Sequence, residues 1–204
     1  MHIAVAGNIG SGKTTLTGML AKHFGWEALY ESVDNNPYLA SFYEDMQRWS
    51  FNLQVFFLNS RFRQVVEIRK RQKSVIQDRT IYEDAHIFAP NLHAMGLMPT
   101  RDFENYASLF ELMMQFLQPP DLLIYLRADV STLVAQIQKR GREYETSIRL
   151  DYLKSLNDRY EEWISKYDAG KLLIVDVNTV KIEEIPEDFG SVIEMVNAEL
   201  YGLF

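Results

Sequence analysis

The fold is decided by Gly7-Asn8-Ile9-Gly10-Ser11-Gly12-Lys13-Thr14 (the phosphate loop), which completes the phosphate-binding pattern G-x-x-x-x-G-K-[ST]. An apolar run precedes it and a segment with apolar residues at helical spacing follows it, so the predicted order is strand, loop, helix. In that setting the glycines let backbone N–H groups surround a phosphate, and the helix N-terminus adds its positive dipole end. Lys13 would supply a full charge near the β- and γ-phosphates, and the Thr14 hydroxyl would bind Mg²⁺. The alternative is a glycine-rich turn that matches by chance, and the flanking strand and helix argue against it.

The composition indicates one α/β domain over residues 1–204. The chain is 47% hydrophobic, which is enough to bury a core. Its formal net charge of −7 argues against a nucleic-acid partner, because proteins that bind nucleic acids usually carry a basic surface. Cysteine is absent, which removes disulfides and thiolate metal sites and fits a reducing, cytoplasmic location. No apolar run approaches the length of a membrane span, so we expect no membrane partner.

Five short apolar runs alternate with longer segments of helical pattern. These runs are Ile3–Ala6, Ala28–Tyr30, Val75–Ile76, Leu122–Leu126 and Leu172–Val175. Because parallel strands need long right-handed connections, the alternation predicts a five-stranded parallel sheet with helices on both faces.

Two predicted helices, at residues 51–68 and 103–117, are apolar nearly all round. A helix without a polar face needs a partner on a second side. One option is a deeply buried place within the domain, and the other is a helix-to-helix homodimer interface. We favour the homodimer, because apolar surface left over in a small domain marks association.

A second phosphate-site element is expected where the third strand ends, at Asp78 and Arg79. Mg²⁺ takes one or two carboxylates and keeps several waters, so Asp78 would face the metal directly or through water. An adjacent arginine can neutralise the charge of a transferring phosphoryl group, a role worth ~10³–10⁵ in rate. A surface ion pair is the alternative, and the phosphate loop in the same chain favours the metal site.

The basic run Lys139-Arg140-Gly141-Arg142 falls between two helical segments. Its glycine suggests a mobile lid over residues 139–147, whose arginines reach the donor phosphates when it closes and excludes water. The alternative is a solvated helix end, where cations meet the helix dipole. We prefer that alternative for the other basic cluster, residues 69–73, which ends a long helix.

Together these features resemble the deoxynucleoside kinase family over nearly the whole chain. Its members transfer the γ-phosphoryl group of ATP or another nucleoside triphosphate to the 5′-hydroxyl of a deoxynucleoside. The resemblance implies a three-layer α/β/α fold of the P-loop kinase type with a short arginine-rich lid, Mg²⁺ as cofactor and ATP as donor. The most specific matches are Asp78-Arg79-Thr80-Ile81-Tyr82-Glu83-Asp84, the segment from Tyr43 through Trp49 and Gln54 to Arg61, the lid, and Asp176-Val177-Asn178.

The resemblance assigns the transfer chemistry to a base and a charge clamp. Glu31, at the end of the second strand, matches the carboxylate that accepts the proton of the 5′-hydroxyl, a role typically worth ~10²–10⁴-fold. Arg79 matches a residue that touches the hydroxyl region and the phosphates. Lys13, Arg140 and Arg142 complete the clamp. Residues 176–178 resemble a loop near the donor adenine, mainly through a backbone contact.

The resemblance also implies a nucleoside pocket. Tyr43 and Glu145 match the residues that hold the sugar 3′-hydroxyl, so sugar binding would be coupled to closure of the lid that carries Glu145. An ionised Asp84 can only accept hydrogen bonds, so it favours bases with an exocyclic amine. Phe88 matches an aromatic that stacks on the base, and a core aromatic is the equally open alternative. The complete base-reading set is Gln54, Arg61, Asp84 and Phe88.

Three departures from the family pattern concern the metal, the lid and the base. Asp78 stands where animal members commonly carry Glu, and Gln136 stands where some relatives carry a further lid arginine. Ala85 replaces an arginine of some relatives beside Asp84. The residues after Glu31 look like the bacterial branch, which favours deoxyadenosine as the acceptor.

Two other functions compete with this interpretation. A nucleoside monophosphate kinase of the thymidylate kinase type shares the loop, the Asp-Arg pair and the lid. Its acceptor would need further cationic groups, whereas Tyr43, Gln54 and Asp84 predict a neutral-to-acidic pocket. A nucleotide-binding switch would leave Glu31 without a task, and the chain contains no Asn-Lys-x-Asp motif for reading guanine.

Overall fold

The alternation of apolar runs and helices produces one parallel sheet. The computed structural model describes residues 1–30, 36–142, 145 and 147–202. Its strands lie in the order β2-β3-β1-β4-β5, and each pairs with its neighbours in parallel. The predicted five-stranded sheet is therefore confirmed. The strands are β1 (His2–Gly7), β2 (Glu27–Leu29), β3 (Val75–Asp78), β4 (Leu122–Arg127) and β5 (Lys171–Asp176).

Helices cover both faces of this sheet. On β1, Ile3 and Val5 belong to a core cluster with residues of the first and last helices, while Ala4 and Ala6 face a second cluster. This three-layer arrangement confirms the predicted fold class. The helices are α1 (Lys13–Phe24), α2 (Leu39–Glu44), α3 (Met46–Lys70), α4 (Ile81–Glu83), α5 (Ala89–Ala94), α6 (Thr100–Met114), α7 (Val130–Arg140), α8 (Leu150–Ser165) and α9 (Pro186–Tyr201), with a π-helical turn at Asp84–Phe88 between α4 and α5.

A crevice is expected at the carboxyl ends of β1 and β3. These strands are neighbours, yet the connection after β1 leads to β2 on one side and the connection after β3 leads to β4 on the other. Ligands of open α/β sheets bind where connections diverge in this way. The phosphate loop and Asp78 both lie at this edge, because each directly follows or ends one of the two strands.

The two apolar helices are longer or shifted relative to their predicted bounds. α3 begins at Met46, because the Asp45 side chain caps it by accepting a hydrogen bond from the Arg48 backbone N–H at 3.0 Å. α6 begins directly after Pro99 and ends at Met114. In the part of the chain that the structure describes, no helix combines the length and apolar character needed to cross a bilayer.

One side of α6 is buried within the domain, and another apolar side is exposed. Tyr106 and Phe110 point into the core. Leu112 and the following Phe116 are 60% and 56% exposed, and the Phe116 ring contacts Phe62 of α3 edge-on, with ring centroids 6.4 Å apart. The fold therefore leaves an apolar surface on this side of the molecule.

Candidate active site

Three glycines give the phosphate loop its shape. Gly7, Gly10 and Gly12 have φ angles of 153°, 85° and 90°, which side chains disfavour. A Cβ at Gly10 would lie 2.8 Å from the carbonyl oxygen of Leu133 in α7, so the loop also needs glycine for close packing. Lys13 Nζ donates a hydrogen bond to the carbonyl of Asn8 at 2.8 Å, which holds the ammonium inside the loop.

The end of β3 brings a carboxylate to this loop. The hydroxyl of Thr14 donates a hydrogen bond to Asp78 Oδ2 at 2.5 Å. Asp78 Oδ1 is buried and has no hydrogen-bond partner among the described residues. A hydroxyl beside a carboxylate oxygen of this kind fits Mg²⁺, which prefers oxygen ligands. The described residues contain no group of three or more His, Asp or Glu side chains for a metal, so phosphates and water would supply its other ligands.

Arg79 is held in an unusual backbone conformation. Its φ of 69° is the single positive value for a non-glycine residue in the described part of the chain. The left-handed conformation costs roughly 1–2 kcal/mol, and such strain concentrates at functional sites. The Arg79 N–H donates a hydrogen bond to the carbonyl of Val5 at 2.9 Å, and the guanidinium lies over the Phe88 ring, 4.6 Å from its centroid.

One cavity of about 360 Å³ connects the phosphate loop with the predicted nucleoside residues. It is lined by apolar side chains that the sequence did not single out, including Leu39, Leu53 and Phe57. Their helical spacing is the same as that of core residues, so the sequence carried no separate signal. The predicted site residues that line it are Ile9, Gly10, Lys13, Thr14, Tyr43, Gln54, Asp78, Arg79, Asp84, Phe88, Arg140, Arg142 and Glu145.

A buried ion pair holds one residue of the cavity wall, Asp84. Arg61 Nε donates a hydrogen bond to Asp84 Oδ2, and both side chains are 2% exposed. Arg61 lies behind Asp84 and is not among the residues that line the cavity, so it orients the carboxylate. Gln54 Oε1 is buried with no hydrogen-bond partner among the described residues. Desolvation by burial raises the pKa of the nearby Tyr106 hydroxyl well above its ordinary value, and the negative charge of Asp84 raises it further.

The two lid arginines converge on Glu145. Arg140 Nε donates a hydrogen bond to Glu145 Oε2 at 3.0 Å, and Arg142 Nη1 lies 3.6 Å from Glu145 Oε1. Gly141, with φ 66°, ends α7 between them. Both arginines and Glu145 line the cavity, while residues 143, 144 and 146 of the predicted lid lie outside the described part of the chain.

The predicted base and the predicted adenine loop remain to be located. Glu31 lies outside the described residues, while the preceding Tyr30 lines the cavity. Of the predicted adenine loop, Val177 lines a separate cavity of about 50 Å³ together with Gln136. The Asn178 side chain instead joins this loop to the start of α7, accepting from the Asp129 N–H at 2.9 Å and the Thr132 hydroxyl at 2.7 Å.

The fold is that of a P-loop kinase, and residues of the phosphate loop line one cavity together with most of the predicted nucleoside residues. The sequence profile of one family, deoxynucleoside kinase, matches residues 3–200. The chain belongs to the deoxynucleoside kinase family. It is therefore a phosphotransferase that phosphorylates deoxynucleosides.

Individual relatives agree with this family. The chain is 43% identical over 201 residues to a deoxyadenosine/deoxycytidine kinase of Bacillus subtilis, covering 94% of this chain and 92% of the relative. It is 37% identical over 207 residues to a deoxyguanosine kinase of Lactobacillus johnsonii, covering 97% and 92%. A solved deoxyadenosine kinase from M. mycoides with bound dATP matches with a TM-score of 0.85 and 29% identity, covering 97% and 99%. None of these relatives is a monophosphate kinase.

We predict that Gly10→Ala weakens donor binding and leaves the acceptor pocket intact. The added Cβ would meet the Leu133 carbonyl and the Ile137 side chain, each at 2.8 Å, so the phosphate loop must shift. Steady-state kinetics should show a KM for ATP raised by about tenfold or more, with nucleoside binding by calorimetry nearly unchanged. Gly190→Ala is the control, because a Cβ there meets nothing within 4 Å. An unchanged KM for ATP would contradict the assignment of the loop to the donor.

Proposed function

We propose that the chain transfers the γ-phosphoryl group of ATP to the 5′-hydroxyl of deoxyadenosine by direct in-line displacement. The observation that carries the proposal is the shared cavity, in which Lys13 and Arg79 line the donor side and Gln54 and Asp84 line the acceptor side. A single shared site allows the hydroxyl and the γ-phosphorus to be aligned, and alignment supplies much of the barrier reduction in phosphoryl transfer.

On the donor side, the residues of this chain bind and neutralise the triphosphate. Lys13 and the backbone of the phosphate loop would hold the β- and γ-phosphates. Thr14 and Asp78 would hold Mg²⁺, which when bound offsets charge on the phosphate oxygens; the unpartnered Asp78 oxygen supports this role. Arg140 and Arg142 would close over the donor and exclude water, which competes with the nucleoside for the phosphoryl group.

On the acceptor side, Glu31 would accept the proton of the 5′-hydroxyl as it attacks. Arg79 would hold the same hydroxyl region and stabilise the negative charge of the transferring group. Tyr43 and Glu145, which both line the cavity, would hold the sugar 3′-hydroxyl. Phe88 would contact the base, and its position on the cavity wall supports this role over that of a core aromatic.

The buried Arg61–Asp84 pair supports a preference for adenine and cytosine, which carry an amine at N6 or N4 where guanine and thymine carry a carbonyl. Arg61 fixes the Asp84 carboxylate in place, and an ionised carboxylate presents only acceptors to the base. Gln54 can both donate and accept, so it can pair with a ring nitrogen and its neighbour. The Bacillus subtilis relative is named for deoxyadenosine and deoxycytidine, both of which carry such an amine. We therefore place deoxyadenosine first among the acceptors.

We also propose a homodimer formed through α3 and α6. The exposed Leu112 and Phe116 extend an apolar surface that includes Phe62, and the domain leaves this surface uncovered. Burying it against a second copy would remove apolar area from water, at roughly 25 cal/mol per Å².

Replacing the proposed base should slow chemistry without loss of binding. Glu31→Gln keeps the size of the side chain and removes its ability to accept a proton. We expect kcat to fall by about 10²–10⁴-fold while the Kd for deoxyadenosine, measured by calorimetry, stays nearly constant. Glu27→Gln, at the exposed start of β2, is the control and should leave kcat unchanged. Turnover near that of the wild type in Glu31→Gln would rule out Glu31 as the base.

The base preference should change when Asp84 gains a donor. Asp84→Asn is nearly isosteric and presents an amide N–H to the base edge, so the N6 amine of adenine loses an acceptor and the O6 carbonyl of guanine gains a donor. The ratio of kcat/KM for deoxyadenosine over deoxyguanosine should drop by about tenfold or more. A parallel assay with all four deoxynucleosides and their monophosphates measures it, and thermal unfolding checks that the variant folds. A constant ratio in a folded variant would show that another group reads the base.

The dimer should dissociate when charge enters the apolar surface. Leu112→Lys places an ammonium on it, and analytical ultracentrifugation at micromolar concentration should convert a wild-type dimer into a monomer. Leu150→Lys is the control, since Leu150 is 64% exposed at the start of α8, away from this surface. A wild-type monomer would refute the proposed interface.

A further inference from the structure

A fully buried carboxylate that the proposed chemistry leaves unused lies beside the transfer site. Glu83, at the end of α4, has 0% exposure. Its Oε1 accepts hydrogen bonds from the Gly7 N–H at 3.2 Å, the Tyr160 hydroxyl at 2.8 Å and Arg79 Nη1 at 3.3 Å. Its Oε2 accepts from the Thr80 N–H at 2.7 Å and the Thr80 hydroxyl at 3.3 Å. Five donors from four residues in three parts of the chain therefore meet on one side chain.

Local helix capping explains the contacts of Oε2 and not those of Oε1. Thr80 and Glu83 form a capping box at the start of α4, and this box uses Oε2. Oε1 faces donors from the phosphate loop, from Arg79 and from α8, none of which belongs to the box. A carboxylate needed only as a cap would not require these three partners.

The contacts of Glu83 hold Arg79 from two directions. The Thr80 N–H follows directly after the strained Arg79 backbone, and the guanidinium itself binds the other carboxylate oxygen. Tyr160 closes the arrangement, because its hydroxyl accepts from Arg79 Nη1 at 2.6 Å while it donates to Glu83. In addition, Gly7 is the first residue of the phosphate loop, so the same carboxylate ties that loop to Arg79.

We propose that Glu83 is a positioning residue for phosphoryl transfer. It directs the Arg79 guanidinium toward the phosphates and fixes the spacing between this arginine and the phosphate loop. Glu83 acts through Arg79 and does not line the cavity. The inference rests on the proposed role of Arg79 in transfer.

The test is Glu83→Gln, because an amide cannot reproduce the pattern of acceptors. In either orientation its NH₂ group faces N–H or O–H donors that the carboxylate accepted. We expect kcat to fall by about 10²-fold, the effect of a small misplacement of a reacting group, with the Kd for deoxyadenosine nearly unchanged. Asn91→Ala is the matched control. Asn91 is equally buried and bonds Ser155 and Arg159 of α8 without contacting Arg79, so this variant should lose thermal stability and keep kcat.

A double-mutant cycle separates positioning from general destabilisation. If Glu83 acts through Arg79, the variant Arg79→Ala with Glu83→Gln should be no slower than Arg79→Ala alone. Effects on kcat that multiply would overturn the inference, as would a folded Glu83→Gln variant with wild-type kcat. If Glu83→Gln does not fold, Tyr160→Phe takes its place in the cycle, because it keeps the ring and removes the hydroxyl between Arg79 and Glu83.

The same measurements distinguish this inference from the proposed function. A wild-type protein without kinase activity, or an Arg79→Ala variant with wild-type turnover, would refute the role of Arg79 and with it the inference. An active wild type, an impaired Arg79→Ala variant and multiplying effects would refute the role of Glu83 alone.

Discussion

The pairing of β1 with β3 is the interaction on which the rest of the structure depends. Val5 lies opposite Asp78 in this parallel register, and the next N–H of the chain, that of Arg79, bonds the Val5 carbonyl. Because the strands are parallel, both of their carboxyl ends reach the same edge of the sheet. The phosphate loop follows one strand and the Asp78-Arg79 pair follows the other. A shift of one residue in this register would turn Asp78 to the opposite face and separate it from Thr14.

The buried charges around the cavity form two arginine–carboxylate pairs, Arg61 with Asp84 and Arg79 with Glu83. The chain carries a formal net charge of −7, yet two arginines lie buried around the cavity, each with a carboxylate. Taking such groups out of water is costly, and the pairs persist because their hydrogen bonds are well placed. If Asp84 reads the base and Arg79 binds the phosphates as we propose, these pairs provide preorganisation, because neither group would need to reorient when the substrates bind.

The sequence predicted the sheet and the phosphate loop well, because both depend on local patterns. Strands buried on two faces appear as continuous apolar runs, and positive φ angles call for glycine. Contacts between segments that are distant in the sequence could not be predicted. Spacing did not reveal that Glu83 meets Tyr160 across 77 positions, or that Asn178 bonds α7, because such pairs form only when helices pack. The apolar walls of the cavity were not predicted for a related reason, since a helical side chain that lines a pocket has the same spacing as one in the core.

The packing of Gly10 against α7 has a consequence for how this enzyme can vary. α7, the helix that leads into the predicted lid, packs against the phosphate loop through the Leu133 carbonyl and the Ile137 side chain, with no space for an added methyl group. A shift of the phosphate loop would therefore require a shift of α7, and the reverse also holds. A chimera that joins α7 of one relative to the phosphate loop of another should fold only if residues 133 and 137 fit against that loop. Directed evolution of donor preference would accordingly find its substitutions in pairs, one on each side of this contact.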